Sequence, residues 1–124
     1  MRLLVVDDYP GAAEVACTLL RLLGHESIAA TTGEQALELA ATFEPEIVVL
    51  DLGLPDVNGY EVARALRQRP GKRPFIAVMT GWASPDDRVK SLAAGIDIHV
   101  LKPASTDNLE KIIAAARRRV SAIT

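Results

Sequence analysis

Apolar runs of strand length alternate along the chain with segments whose apolar residues recur at helical spacing. Residues 2–6, RLLVV, form the first run. The segment 10–23 then places Ala12, Val15, Ala16, Leu19, Leu20 and Leu23 on one helical face. Gly24 stops it, because glycine just past a helix end adopts the left-handed conformation without steric cost. The run 26–30, ESIAA, is more polar, which predicts a strand nearer a sheet edge. Thr32 followed by Gln35 is a capping-box signature for a helix over 33–43. Pro45 separates that helix from 46–50, EIVVL, whose unbroken apolar character suits a strand covered on both faces.

The same alternation continues. The loop DLGLPDVNG leads to a helix near 59–69, begun by Asn58 and Tyr60, with Val62, Ala63 and Leu66 inward. FIAVM, 75–79, is the next buried strand. Ser84 is suited to cap a further helix, with Pro85 at its first position and Val89, Leu92, Ala93 and Ile96 along its inner face. DIHVL, 97–101, is the fifth strand, and a last helix spans about 106–120 with Leu109, Ile112, Ile113, Ala116 and Val120 as its stripe. Five strand–helix units joined by short connections predict a parallel sheet with helices on both faces. Such sheets carry their functional groups outside the carboxyl ends of the strands.

Composition narrows the picture. The 124 residues suit one domain, 1–124, and 49% hydrophobic with 24% charged residues describes a globular chain. A formal net charge of -2 gives no electrostatic reason to expect direct nucleic-acid binding. The one dense basic run, Arg117-Arg118-Arg119, is expected to complement the dipole at the end of the last helix. Cys17 stands alone, which excludes a disulfide framework or a cysteine zinc site within the chain. No stretch reads as a signal peptide or reaches bilayer length, so a cytoplasmic protein without membrane contact is expected.

The residues that follow the strands carry the chemistry. Asp7 and Asp8 follow the first strand, Asp51 the third, Thr80 and Gly81 the fourth, and Lys102 and Pro103 the fifth. Two carboxylates about 4 Å apart repel by about 4 kcal/mol at an effective dielectric of about 20. A trio therefore calls for a cation or for raised pKa values. A hard divalent ion such as magnesium suits an all-oxygen site that retains several waters. Lys102 adds a positive charge suited to a phosphate oxygen, and the Thr80 hydroxyl can donate to a second one. A carboxylate in this setting can accept a phosphoryl group, and Asp51, on a central strand, is the best candidate.

In order and spacing, VVDDYP, VVLDLGLPDVNGYEVARALR, IAVMTGWA and AAGIDIHVLKP resemble the motifs of a response-regulator receiver domain of two-component signalling. The resemblance covers essentially the whole chain. It implies a flavodoxin-like doubly wound sheet of five parallel strands, (βα)5, in the order 2-1-3-4-5. It implies that Asp51 accepts a phosphoryl group from a phosphohistidine on a sensor histidine kinase or a histidine phosphotransfer protein. Mg2+ would be held by Asp8, Asp51 and the backbone carbonyl of Gly53, with Asp7 acting through water. Thr80 and Lys102 would close on the phosphoryl group, Gly81 would give it room, and the Lys102–Pro103 bond is expected to be cis. The switch would alter the face built by the fourth and fifth strand–helix units, where a downstream effector could dock.

Three positions give this chain its own character. The family's switch position, three residues before the lysine, usually holds tyrosine or phenylalanine, and here it is His99. Histidine there resembles receivers attached to hybrid sensor kinases, and it makes pH sensitivity a hypothesis. Gly53 and Trp82 flank the site where the lifetime of an acyl phosphate is set. Glycine has no side chain and indole offers only a donor, so neither holds an attacking water well, and slow self-dephosphorylation is expected. The alternative of an aspartate-nucleophile phosphatase would want a second aspartate at position 53, and a phosphorylation-independent binding module would not need the intact acid, threonine and lysine set. The expectation is a signalling module rather than an enzyme acting on an external substrate.

Overall fold

The computed structural model describes residues 1–52, 54, 58–69, 73–80, 93–102 and 104–123. Its elements in chain order are β1 (Arg2–Val6), α1 (Pro10–Leu22), β2 (Glu26–Ala30), α2 (Gly33–Phe43), β3 (Ile47–Leu50), α3 (Gly59–Gln68), β4 (Phe75–Thr80), β5 (Ile98–Leu101) and α4 (Thr106–Ile123). The five strands form one parallel sheet in the order β2-β1-β3-β4-β5. The expected order is therefore present, and the two more polar strands, β2 and β5, are the edges. Ser84, Pro85, Val89 and Leu92 lie outside the described residues, while Ala93 and Ala94 are helical and lead into Gly95 at φ 83.

Alternation along each strand divides the core into two layers. Leu3, Val5, Ile47, Val49, Phe75, Ala77, Met79 and Val100 pack with α1 and α4 on one face. Leu4, Val6, Val48, Leu50, Ile76 and Val78 pack with α2 and α3 on the other. The strands β1 and β3 are thus apolar on both faces, which explains their unbroken runs. The helices obey their sequence signals. Thr32 accepts the Gln35 N–H at 3.1 Å, while the Gln35 side chain reaches back to the Thr31 N–H at 2.9 Å, one residue earlier than a standard capping box. Asn58 caps α3 by accepting the Tyr60 N–H at 2.8 Å, and Ser105 caps α4 by accepting the Asn108 N–H at 3.1 Å.

One expectation needs correction. The helix α4 continues to Ile123, so its last turn holds no basic residue and the arginine run does not complement its terminal dipole. Nothing in VSAI, the sequence after Arg119, stops a helix. Arg117 and Arg118 are exposed, but Arg119 reaches the amino end of the sheet. There it donates to Asp97 at 3.3 Å and to the Arg73 carbonyl at 3.2 Å, with its guanidinium 5.1 Å from the Phe75 ring centre.

Asp97 is the hub of that end. It accepts from Arg67 at 2.6 Å and from the Ile76 N–H at 2.8 Å, while its own N–H donates to the Ile76 carbonyl at 2.8 Å. Arg67 also donates to the Gly95 carbonyl, with Nε at 2.7 Å. By turning its side chain onto β4, Asp97 ends the ladder, so β5 begins at Ile98 rather than at 97. The cluster ties α3, β4, the start of β5 and α4 together. Asp97→Ala would remove the carboxylate shared by two guanidinium groups and leave the Ile76 N–H without its side-chain acceptor, so a loss of about 2 kcal/mol is expected, read as a lower urea midpoint at unchanged slope. A loss below about 0.5 kcal/mol, the range of ordinary surface changes, would contradict this role.

Candidate phosphoacceptor and metal site

The carboxyl ends of the strands gather the predicted acids. Val6 pairs with Leu50, so the residues that follow them, Asp7 and Asp51, stand level at adjacent strand ends. The Asp51 N–H still donates to the Val6 carbonyl at 2.9 Å and the Asp7 N–H to the Ala30 carbonyl at 3.0 Å, which holds both backbones in the sheet. One oxygen from each of Asp7, Asp8 and Asp51 lies within 4.8 Å of the others. Asp7 is buried, Asp51 half-buried and Asp8 exposed, so the cluster opens to solvent on the Asp8 side.

Lys102 follows β5 and crosses to these acids. Its Nζ donates to Asp7 at 3.2 Å and to Asp51 at 3.3 Å. Partial burial disfavours its charged form, but the hydrogen bond to Asp7 and the charge of Asp51 outweigh burial and hold Lys102 above the ordinary lysine value. Among the described residues three carboxylates face one ammonium, a formal balance of two negative charges. The donors are all oxygen and the residual charge is that of a hard divalent ion, so this set fits Mg2+.

The supporting residues were not visible from charge and pattern alone. The Tyr9 N–H donates to Asp7 Oδ1 at 3.0 Å, so Lys102 and Tyr9 take different oxygens of Asp7 and fix its plane. Gly59 sits against the backbone of the candidate nucleophile: a Cβ there would come 2.8 Å from the Asp51 carbonyl oxygen and from Leu52 Cα. The asparagine–glycine pair at the start of α3 signals this close approach in the sequence only once the fold is known.

Other predicted residues fall differently. Thr80 is the last residue of β4, opposite Leu101, one residue before Lys102. Its side chain, with Gly53, Gly81, Trp82 and Pro103, lies outside the described residues. His99 is half-buried in mid-β5, opposite Val78. Its neighbour Val100 packs toward α1 and α4, so alternation turns His99 to the other face, away from the acid trio. A role for His99 would have to be conveyed through packing, not by contact with the acids.

Comparison with known proteins gives the family and the fold. The response regulator receiver domain family matches residues 3–114. The transcriptional regulatory protein KdpE of Mycobacterium tuberculosis (strain CDC 1551 / Oshkosh) is 38% identical over 120 residues, covering 96% of this chain and 52% of that protein. A probable transcriptional regulator, ycf27, of Porphyridium aerugineum is 35% identical over 119 residues, 96% of this chain and 49% of its own. The chain thus spans about half the length of the curated relatives it matches. Among solved structures, a CheY-like receiver domain protein from Methanospirillum hungatei JF-1 superposes with a TM-score of 0.86 at 31% identity, over 98% of this chain and 97% of that one. The chemotaxis protein CheY4 of Vibrio cholerae gives 0.87 at 26% identity, over 93% and 97%.

The electrostatics make one variant informative. Lys102→Met removes the ammonium that competes with a metal for the carboxylates, so magnesium titration should show roughly fivefold tighter binding. Because the folded pKa of Lys102 is raised, its pairing stabilises the wild type fully below the unfolded value of 10.5 and is lost as pH rises through the folded one. That alkaline loss should be absent from Lys102→Met. Weaker magnesium binding in the variant would show instead that Lys102 organises the acids.

Proposed function

The chain belongs to the response-regulator receiver family, and on that premise we propose that it is a phosphoacceptor switch with Asp51 as its nucleophile. A carboxylate oxygen of Asp51 attacks the phosphorus of a phosphohistidine whose other ring nitrogen carries a proton, the P–N bond breaks, and its electron pair stays on a neutral imidazole leaving group. The donor is a sensor histidine kinase or a histidine phosphotransfer protein. The observation that carries this reading is the convergence of the Asp7, Asp8 and Asp51 oxygens within 4.8 Å, with the Lys102 ammonium 3.3 Å from Asp51.

The roles divide by position. Asp8, Asp51 and the Gly53 carbonyl would hold Mg2+ directly, with Asp7 acting through water, and the ion would supply positive charge to the transferred oxygens. Lys102, already raised toward its charged form, turns from the acids to the phosphoryl group. Thr80 closes from β4 and His99 follows on β5, altering the face of the fourth and fifth strand–helix units for an effector. Gly53 and Trp82 leave an attacking water poorly held, which favours a long-lived acyl phosphate. Residues 1–124 act as one receiver domain in the cytoplasm, assisting its own phosphorylation and dephosphorylation rather than processing an external substrate.

Incubation with magnesium and a small phosphodonor should give a hydroxylamine-labile phosphoryl adduct on the wild type. Asp51→Asn should lose it essentially completely. An unlabelled wild type, or an equal adduct on Asp51→Asn, would sink the proposal.

A further inference from the structure

The two sides of α1 are sharply divided. Ala13, Ala16, Cys17 and Leu20 are buried in the core. At about 100° per residue, Gly11, Val15, Thr18 and Leu22 fall on the side directly opposite them. All four are exposed, Val15 by 54% and Leu22 by 78%. Tyr9, just before the helix, is 70% exposed, and among the described residues no other large apolar side chain is exposed. Exposed large apolar side chains are thus gathered on one helix instead of scattered singly, which is the pattern of an interaction face.

Spacing and charge indicate what that face fits. Positions 11, 15, 18 and 22 are separated by four, three and four residues, the spacing of a seam between two helices. Glu14 and Arg21 stand on one flank of it, Ala12 and Leu19 on the other. Among the described residues Glu14 makes no ion pair. Arg21 of the same helix is about 10.5 Å further along the axis, beyond the reach of neighbouring turns. It donates one N–H to the Ser27 carbonyl at 3.1 Å, which holds its guanidinium on this flank.

When two identical helices pair antiparallel about a two-fold axis, like flanks meet. Glu14 of each copy then comes within reach of Arg21 of the other. A parallel pair would instead set Glu14 beside Leu19 of the partner subunit, and neither charge pair would form. The antiparallel arrangement also brings Leu22 of the partner subunit to Gly11. There the absent side chain opens a hollow of about 410 Å³, lined also by Glu14, Val15, Thr18 and Leu19. The Tyr9 ring, 3.3 Å from where a Gly11 Cβ would lie, borders that end.

We propose that α1 is a self-association face on which a second copy of this chain packs antiparallel. Val15 would meet Thr18 of the partner subunit, Leu22 would meet Gly11 of the partner subunit, and Glu14 would meet Arg21 of the partner subunit. The seam covers about 18 Å of helix, well short of a standard interface, so the dimer is transient, with a Kd of the order of 100 μM. The association does not depend on Asp51 being a phosphoacceptor.

Sedimentation equilibrium on the full chain, from about 10 μM to about 1 mM, tests this. The weight-average mass should rise toward twice that of the monomer. Leu22→Glu, Glu14→Lys and Arg21→Glu should each weaken association roughly tenfold, with retained thermal unfolding midpoints reporting that the variants fold. An equimolar mixture of the Glu14→Lys and Arg21→Glu proteins restores opposite charges at both contacts. It should associate within about twofold of the wild type. A chain that stays monomeric throughout would overturn the proposal and leave the face to a different protein. Association untouched by Leu22→Glu would overturn it too, as would charge variants that recover nothing on mixing.

Discussion

Three carboxylates are held close together by a sheet that cannot let them apart. The pairing of Val6 with Leu50 sets Asp7 and Asp51 level, and both strands are apolar on both faces. A slip of one residue would exchange the two faces of a strand and carry every apolar side chain to the wrong layer, so the register is strongly specified. The repulsion at the strand ends is therefore sustained by burial below them. Among the described residues Lys102 offsets one charge of it and leaves two, the charge that a divalent cation would offset.

The rest of the molecule divides around that constraint. At the carboxyl end of the sheet the backbone is arranged for proximity: Gly59 lets α3 lie against Asp51, and the Tyr9 N–H orients Asp7. At the amino end, Asp97 gathers Arg67, Arg119 and the Ile76 N–H into a charge-assisted cluster that joins α3, β4 and α4. Cohesion is thus supplied far from the acids, by groups of opposite charge held in contact. The acidic end gathers three carboxylates against one ammonium among the described residues.

Much of this was legible in the sequence because its signals are local. Continuous apolar runs marked β3 and β4 as buried strands, the polar ESIAA marked an edge, and the acids and lysine could be located simply as the residues after each strand. Thr32 with Gln35 and Gly24 announced their helix ends. What was not legible depends on partners distant in the chain. Arg119 read as a dipole complement because its partner, Asp97, lies 22 residues away and becomes its neighbour only through the fold. Gly59 read as an ordinary loop glycine because the atoms that exclude a Cβ belong to Asp51 and Leu52.

On the proposed reading Asp51, which follows β3, and neither Asp7 nor Asp8, which follow β1, forms the covalent bond to phosphorus. Borohydride reduces an acyl phosphate to an alcohol, turning a phosphorylated aspartate into homoserine. After phosphorylation, reduction and peptide mapping by mass, homoserine should occur at position 51 and at neither 7 nor 8. Homoserine at 7 or 8, or at no position in a chain shown to be phosphorylated, would contradict the account.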